Sequence, residues 1–185
     1  IFLANILLVT FFSNAVNLTD GKDGLAAGCT IFCVLSFAAV AYVHGHTVFA
    51  KYLSVPYIPE LGEISVFASA MAGACIGFLW YNCKPAAVFM GDTGSLPLGG
   101  SIGLIAVLMG QQFLLIVIGF VFLMEGVSVM IQVASFRLTG RRVFLCTPIH
   151  HHFEQKGWSE TQIVIRFWII AGICALIGLA TLKLR

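Results

Sequence analysis

An all-α, polytopic membrane protein is what this sequence predicts, and three observations carry that expectation. Of its 185 residues, 59% are hydrophobic and 10% charged, with a mean hydropathy of +1.00, whereas soluble domains carry about 25% charged residues. Apolar runs recur at 25 to 43, 64 to 81, 113 to 133 and 161 to 182, each close to the roughly 20 helical residues that cross a hydrocarbon core. These runs are continuously apolar, without the alternation over about 10 residues that marks membrane β-strands.

The remaining elements complete a count of six spans. Ile1 to Val16 is apolar from its first residue and lacks an initiator Met. No basic region precedes it and no small-residue cleavage site follows, so it reads as a helix entered part-way and not as a signal peptide. The expectation is that upstream sequence has been cut away. A shorter run covers 98 to 110. Residues 1–185 then form a single integral membrane domain, truncated at its N-terminus, with polar loops at 17–24, 82–97 and 134–160. Cys29, Cys33, Cys75, Cys83, Cys146 and Cys174 are scattered without a C-x-x-C pair, and read as small apolar core residues.

Parity places those three loops on one side of the membrane. That side holds Lys22, Lys84, Arg137, Arg141, Arg142, Lys156 and Arg166, against Lys51, Lys183 and Arg185 on the other. The bias of basic residues toward the cytoplasm puts the three loops inside the cell. They are dense in Asp, Asn, His and Gly, so the polar groups gather at one interface. A transporter would place such groups near the midplane, on broken helices. Nothing in the composition points to a nucleic-acid partner.

The first loop contains Asn17, Asp20 and Asp23. On a helix, Asn17, Asp20 and Gly24 would share a stripe, with the two aspartates within one turn. Such a group can hold Mg²⁺ or bind a sugar or base; an Asn/Asp/Gly turn explains it equally well. In the second loop Asp92 stands between Gly91 and Gly94, where backbone can approach a ligand closely. One carboxylate plus substrate phosphates is a common way to hold Mg²⁺. Phe89 can stack on a base, and Lys84 can be an interfacial anchor. A capped turn accounts for the same Gly-Asp-x-Gly-Ser pattern.

The third loop carries Pro148, Ile149, His150, His151, His152, Phe153 and Glu154. Histidines can donate to phosphate or exchange protons near neutral pH. Zinc prefers ligands spaced by a turn or a loop, which adjacent histidines do not supply. Glu125 lies 13 residues into the 113 to 133 run, followed by Ser128 and Gln132. A carboxylate at that depth is costly unless it is paired or protonated, so the stripe must face protein or water.

Taken together, these motifs closely resemble the phospho-N-acetylmuramoyl-pentapeptide transferase family. They are Asn-Ala-Val-Asn-Leu-Thr-Asp-Gly (14 to 21), Val-Phe-Met-Gly-Asp-Thr-Gly-Ser-Leu (88 to 96), Glu125 to Gln132, Pro-Ile-His-His-His (148 to 152), Arg-Phe-Trp-Ile (166 to 169) and the ending Leu-Ala-Thr-Leu-Lys-Leu-Arg. The resemblance implies about ten transmembrane helices in the complete enzyme, this chain holding the last six. It implies a bacterial inner-membrane enzyme, its active site facing the cytoplasm, that needs Mg²⁺ as cofactor. The partners would be UDP-MurNAc-pentapeptide and undecaprenyl phosphate in membrane lipid, the products lipid I and UMP, with a homodimer allowed.

By the same resemblance Asp92 binds the metal with Asp20 beside it, and both are catalytic together with His150, His151 and His152. Asn17, Asp23, Asn82, Phe89 and Gln132 bind substrate, with Phe89 on uracil. Two departures stand out. Lys22 replaces a usually apolar residue, and the family's adjacent aspartate pair lies upstream of this chain, so the chain alone is expected to be inactive. The related polyprenyl-phosphate N-acetylhexosamine-1-phosphate transferases share the aspartate loops but typically lack Pro-Ile-His-His-His.

Overall fold

A computed structural model describes residues 2–183. Ile1, Leu184 and Arg185 lie outside the described residues, and with them the last two positions of the ending motif and one charge used to orient the chain. The elements in order are α1 (Phe2–Thr19), α2 (Leu25–Gly45), α3 (Thr47–Leu53), α4 (Leu61–Asn82), α5 (Gly91–Leu108), α6 (Gln112–Ile118), α7 (Phe120–Thr139), α8 (Ile149–Gln155) and α9 (Glu160–Ala180), followed by a 3₁₀ turn at Thr181–Lys183. Among the described residues there is no β-strand. The protein is all-α, and α1, α2, α4, α7 and α9 are each long and apolar enough to cross a membrane.

The bundle is organised around α2, which packs on α4 and α9 and touches α5 and α6. Its buried face is built from small residues, Ala26, Ala27, Gly28, Cys29, Cys33, Ala38 and Ala41, with Phe37 among them. In lipid there is no hydrophobic drive to bring helices together, so close backbone approach through small side chains does that work. Cys29, Cys33 and Cys75 are buried as core residues, while Cys83 is exposed and Cys146 and Cys174 are half-buried.

The α1–α5 pair shows the same principle and positions the site. A Cβ on Gly99 would lie 2.3 Å from the Phe12 carbonyl oxygen, and one on Gly103 would lie 2.9 Å from the Val9 Cα. Only glycine lets these two backbones meet. Ser13 Oγ donates to the Leu96 carbonyl at 2.9 Å across the same seam. At the far end Gln112 Nε2 donates to Asn5 Oδ1 at 3.4 Å.

Three boundaries differ from the sequence expectation. The fourth expected span starts at Gly91 and not at 98, because Asp92, Thr93 and Ser95 form a polar start to the helix, which accommodates Pro97 in its interior. The 113 to 133 run is broken at Gly119 into α6 and α7, and α7 runs on to Thr139 through residues assigned to the loop. In the first loop the helix stops at Thr19, so Asp20 and Asp23 lie in a turn and not on a helical stripe.

Candidate functional site

The end of α1, the turn at 20–24, the 82–91 segment, α8 and the start of α9 converge at one end of the bundle. Gly24 is the pivot. Its φ of +76° is a left-handed conformation that favours glycine. Its N–H donates to Asn82 Oδ1 at 3.0 Å, and its carbonyl accepts from Trp168 Nε1 at 3.1 Å. Asn82, buried at the end of α4, also donates through Nδ2 to the Val88 carbonyl at 2.8 Å. One amide therefore ties the first loop to the second.

Asp23 adds another tie, its Oδ2 accepting from the Ala86 N–H at 3.1 Å while its own N–H points to Glu160 Oε1 at 3.4 Å. Glu160 also pairs with Lys84, so Lys84 is more than a membrane anchor. Helix α9 starts just there behind a Ser159–Gln162 capping box. In the Arg-Phe-Trp-Ile motif, Arg166 sits 4.0 Å over the Trp158 ring, Phe167 fills the core and Trp168 reaches Gly24.

The carboxylates meet on the α1–α5 side. Asn17 Nδ2 donates to Asp92 Oδ1 at 2.7 Å and to Ser95 Oγ at 2.9 Å, and Ser95 Oγ donates to the Gly91 carbonyl at 2.9 Å. Asp92 stands in the first turn of α5, where the helix dipole favours negative charge. Burial pushes the Asp20 carboxyl up from 3.8 to about 6; the Asp92 charge adds to the rise and the Gly91 N–H opposes it. A hollow of about 200 Å³ opens here, lined by Asp20, Gly21, Lys22, Asp23, Asn82, Phe89 and Gly91. Phe89, at its edge, is 74% exposed.

The three histidines diverge. His150 is wholly buried, with Nδ1 3.1 Å from Oε2 of the equally buried Glu125. A Cβ on Gly21 would come within 2.8 Å of His150 Nε2 and 3.8 Å of His151 Nε2, so both rings lie against the first loop. His151 Nδ1 contacts Glu154 Oε2 at 2.9 Å, and His152 Nδ1 accepts from the Leu145 N–H at 3.1 Å. Gln132 lies away from the aspartates. Its Oε1 accepts from the Val143 and Phe144 N–H groups, both at 2.9 Å, its Nε2 donates to the Phe144 carbonyl at 2.9 Å, and it lines a separate hollow with Arg137 and Arg142.

Lys22 bridges the first loop to α8, its Nζ 2.7 Å from Glu154 Oε1. The Lys22 hydrogen bond, with help from His151, holds the Glu154 carboxyl down from 4.5 to about 2. Such a lowered acid contributes stability above its unfolded value near 4.5, and that contribution is lost as pH falls toward about 2. Replacing Lys22 with Leu is therefore expected to lower the melting temperature slightly at pH 7, within about 1 kcal/mol because Glu154 is exposed. The difference should shrink in melts run toward pH 3, and a gap that grows with acidity would contradict the bridge.

The structure brings Asn17, Asp20, Asp23, Asn82, Phe89 and Asp92, all singled out in the sequence, to one end of the bundle. The sequence did not reveal Ser95, Glu154, Glu160 or Trp168 as bracing residues, nor the partner of Glu125. Trp168 lies inside a quoted motif, but its reach to Gly24 requires α9 to pack on α2. Among the described residues no three His, Cys, Asp or Glu side chains form a complete metal cage.

A polytopic helical membrane protein with an acid-lined hollow at one end of its bundle is the class that fold and site define. The chain belongs to glycosyl transferase family 4, whose model matches residues 1–110. It is 55% identical over 180 residues to a phospho-N-acetylmuramoyl-pentapeptide-transferase of Methylacidiphilum infernorum (isolate V4), covering 97% of this chain and 49% of the relative. It is 56% identical over 181 residues to a protein of the same name from Pelagibacter ubique (strain HTCC1062), covering 98% of this chain and 50% of the relative. The chain spans about half the length of these curated relatives.

Proposed function

We propose that this chain forms the active-site face of an enzyme that transfers phospho-MurNAc-pentapeptide from UDP-MurNAc-pentapeptide to undecaprenyl phosphate. The products would be lipid I and UMP, at the cytoplasmic face of the bacterial inner membrane, in peptidoglycan synthesis. The observation that carries this reading is the meeting of Asn17, Asp20 and Asp92 beside the Phe89 hollow, in a chain more than half identical to relatives of that name.

Phosphoryl transfer needs in-line positioning and charge neutralisation more than covalent protein chemistry. The donor set fits Mg²⁺, which proteins usually hold through one or two carboxylates plus substrate phosphates. Asp92 and Asp20 would hold it, and it would supply neutralisation of phosphate charge. Asp20, raised to about 6 by burial and by Asp92, is a carboxyl whose ionised form a cation would favour. Asn17 orients Asp92 through Oδ1. Asp23 and Asn82 fix the backbone around the hollow, where Phe89 offers a stacking face for the base. His151 stands at the Gly21 edge, as a donor toward phosphate. Gln132 shapes the 143–144 backbone that leads into α8.

The test is UMP release by the complete gene product that bears this chain, purified in detergent with Mg²⁺, UDP-MurNAc-pentapeptide and undecaprenyl phosphate. Release with this donor and none with UDP-N-acetylglucosamine supports the reading, and the reverse assigns the chain to the N-acetylhexosamine-1-phosphate transferases. The 185 residues alone are expected to give no lipid product, and Mg²⁺-dependent product from them would overturn that part.

A further inference from the structure

Glu125 is the one carboxylate among the described residues that is wholly buried, and it lies within the membrane-spanning helix α7. Its neighbour His150 is just as buried and sits on a different element, α8, with Nδ1 3.1 Å from Glu125 Oε2. Removing two ionisable groups from water costs several kcal/mol for each ion, and an apolar pair of the same volume fills such a space at lower cost. Packing therefore does not account for the pair.

The other face of the histidine supplies the reason. Nε2 of His150 is directed at Gly21, where an added Cβ would lie 2.8 Å away. Gly21 is flanked by Asp20 and Lys22, and all three line the hollow. The His151 ring lies against His150 with centroids 4.2 Å apart. Neither ring nitrogen of His150 and neither carboxylate oxygen of Glu125 has an aligned hydrogen-bond partner. The two buried groups are thus close without being aligned as a hydrogen bond, and the carboxylate faces Nδ1 and not Nε2.

We propose that Glu125 is a positioning residue: it keeps Nδ1 of His150 protonated and turned into the bundle, and through that ring it seats Gly21 at the hollow with His151 beside it. This deepens the transferase reading and rests on it. A second layer of this kind typically changes activity by about 10- to 100-fold when removed.

The experiment uses the complete gene product with Glu125→Gln, His150→Gln and the double substitution, following UMP release, thermal unfolding and the ¹⁵N spectrum of labelled histidine. His150 is assigned in that spectrum by its loss in His150→Gln. Glu125→Gln is expected to lower kcat at least about tenfold, with little change in KM for the nucleotide and no fall in melting temperature. The double variant should be no worse than His150→Gln alone, because the two act as one unit, and the His150 nitrogens should shift in Glu125→Gln. Additive losses, an unmoved nitrogen spectrum, or a kcat that falls only in step with folded protein would each overturn the proposal. If Glu125→Gln does not fold, Glu125→Asp, which keeps the charge but withdraws it by one methylene, is read by the same criteria. If the wild-type protein releases no UMP, the transferase reading fails by itself, and the nitrogen spectrum still decides whether Glu125 sets the His150 proton.

Discussion

Asp92→Asn in the complete gene product is expected to reduce UMP release by at least about a hundredfold, the loss typical of removing one charge-stabilising group from a transfer site. The substitution is nearly isosteric and preserves an acceptor for Asn17, so it tests charge and not shape. Removing the charge should change fold stability little, because the lost attraction to the α5 N-terminus is offset by relief of repulsion with Asp20. Asp92 adds to the rise of the Asp20 carboxyl, which means that the two acids repel each other in the absence of a cation. Without Mg²⁺, the variant should melt at the same temperature as wild type or slightly above it, while wild type alone should gain stability on adding Mg²⁺, since a ligand stabilises the state that binds it. The rate and the melting curves thus separate a metal-binding carboxylate from a structural one. Release within a few-fold of wild type would move the metal elsewhere, and a large fall in melting temperature would make Asp92 a bracing residue.

Most of the spans and the three polar loops were legible because membrane physics acts on runs of sequence. Twenty apolar residues need no tertiary context to be read as a crossing, and residues that cannot sit in lipid must gather at its edges. The break at Gly119 was not legible, since α6 and α7 are both apolar and nothing in composition marks where one helix gives way to the next. The early start of α5 was hidden for the opposite reason: Asp92, Thr93, Ser95 and Pro97 read as loop residues, yet the start of a helix favours polar groups such as Asp92 and Thr93, and α5 carries Pro97 in its interior. At the site, residue type suggested which side chains can bind phosphate or metal. It did not reveal which of them are already engaged. Gln132 and His152 each use their side chains on backbone of the 143–145 segment, and Glu125 takes His150. Those partners lie on other elements, and pairing across elements follows from packing that no single motif encodes.

That packing can be tested at its tightest point. Gly99→Val is expected to cost about 3 kcal/mol of stability, at the upper end for overpacking a close-packed seam, and to lower activity together with it. The new Cβ would meet backbone on α1, the Phe12 carbonyl oxygen at 2.3 Å and the Ser13 Cα at 2.7 Å. Backbone cannot swing aside as a side chain can, so α5 must move away from α1. Because Asp92 and Ser95 are on α5 and Asn17 is on α1, that movement pulls on the hydrogen bonds that orient the carboxylate. Gly100→Ala, one residue on, is the control. Its nearest neighbour would be Ser13 Oγ at 4.0 Å, ordinary contact, and replacing a mid-helix glycine should be neutral or stabilising by about 0.5 kcal/mol. Thermal unfolding in detergent and UMP release on both variants give the answer. A Gly99→Val protein as stable and active as Gly100→Ala would mean that the α1–α5 seam does not set the position of Asp92. A protein that melts early, and recovers neither Mg²⁺ stabilisation nor UMP release at low temperature, would show that the seam itself builds the site.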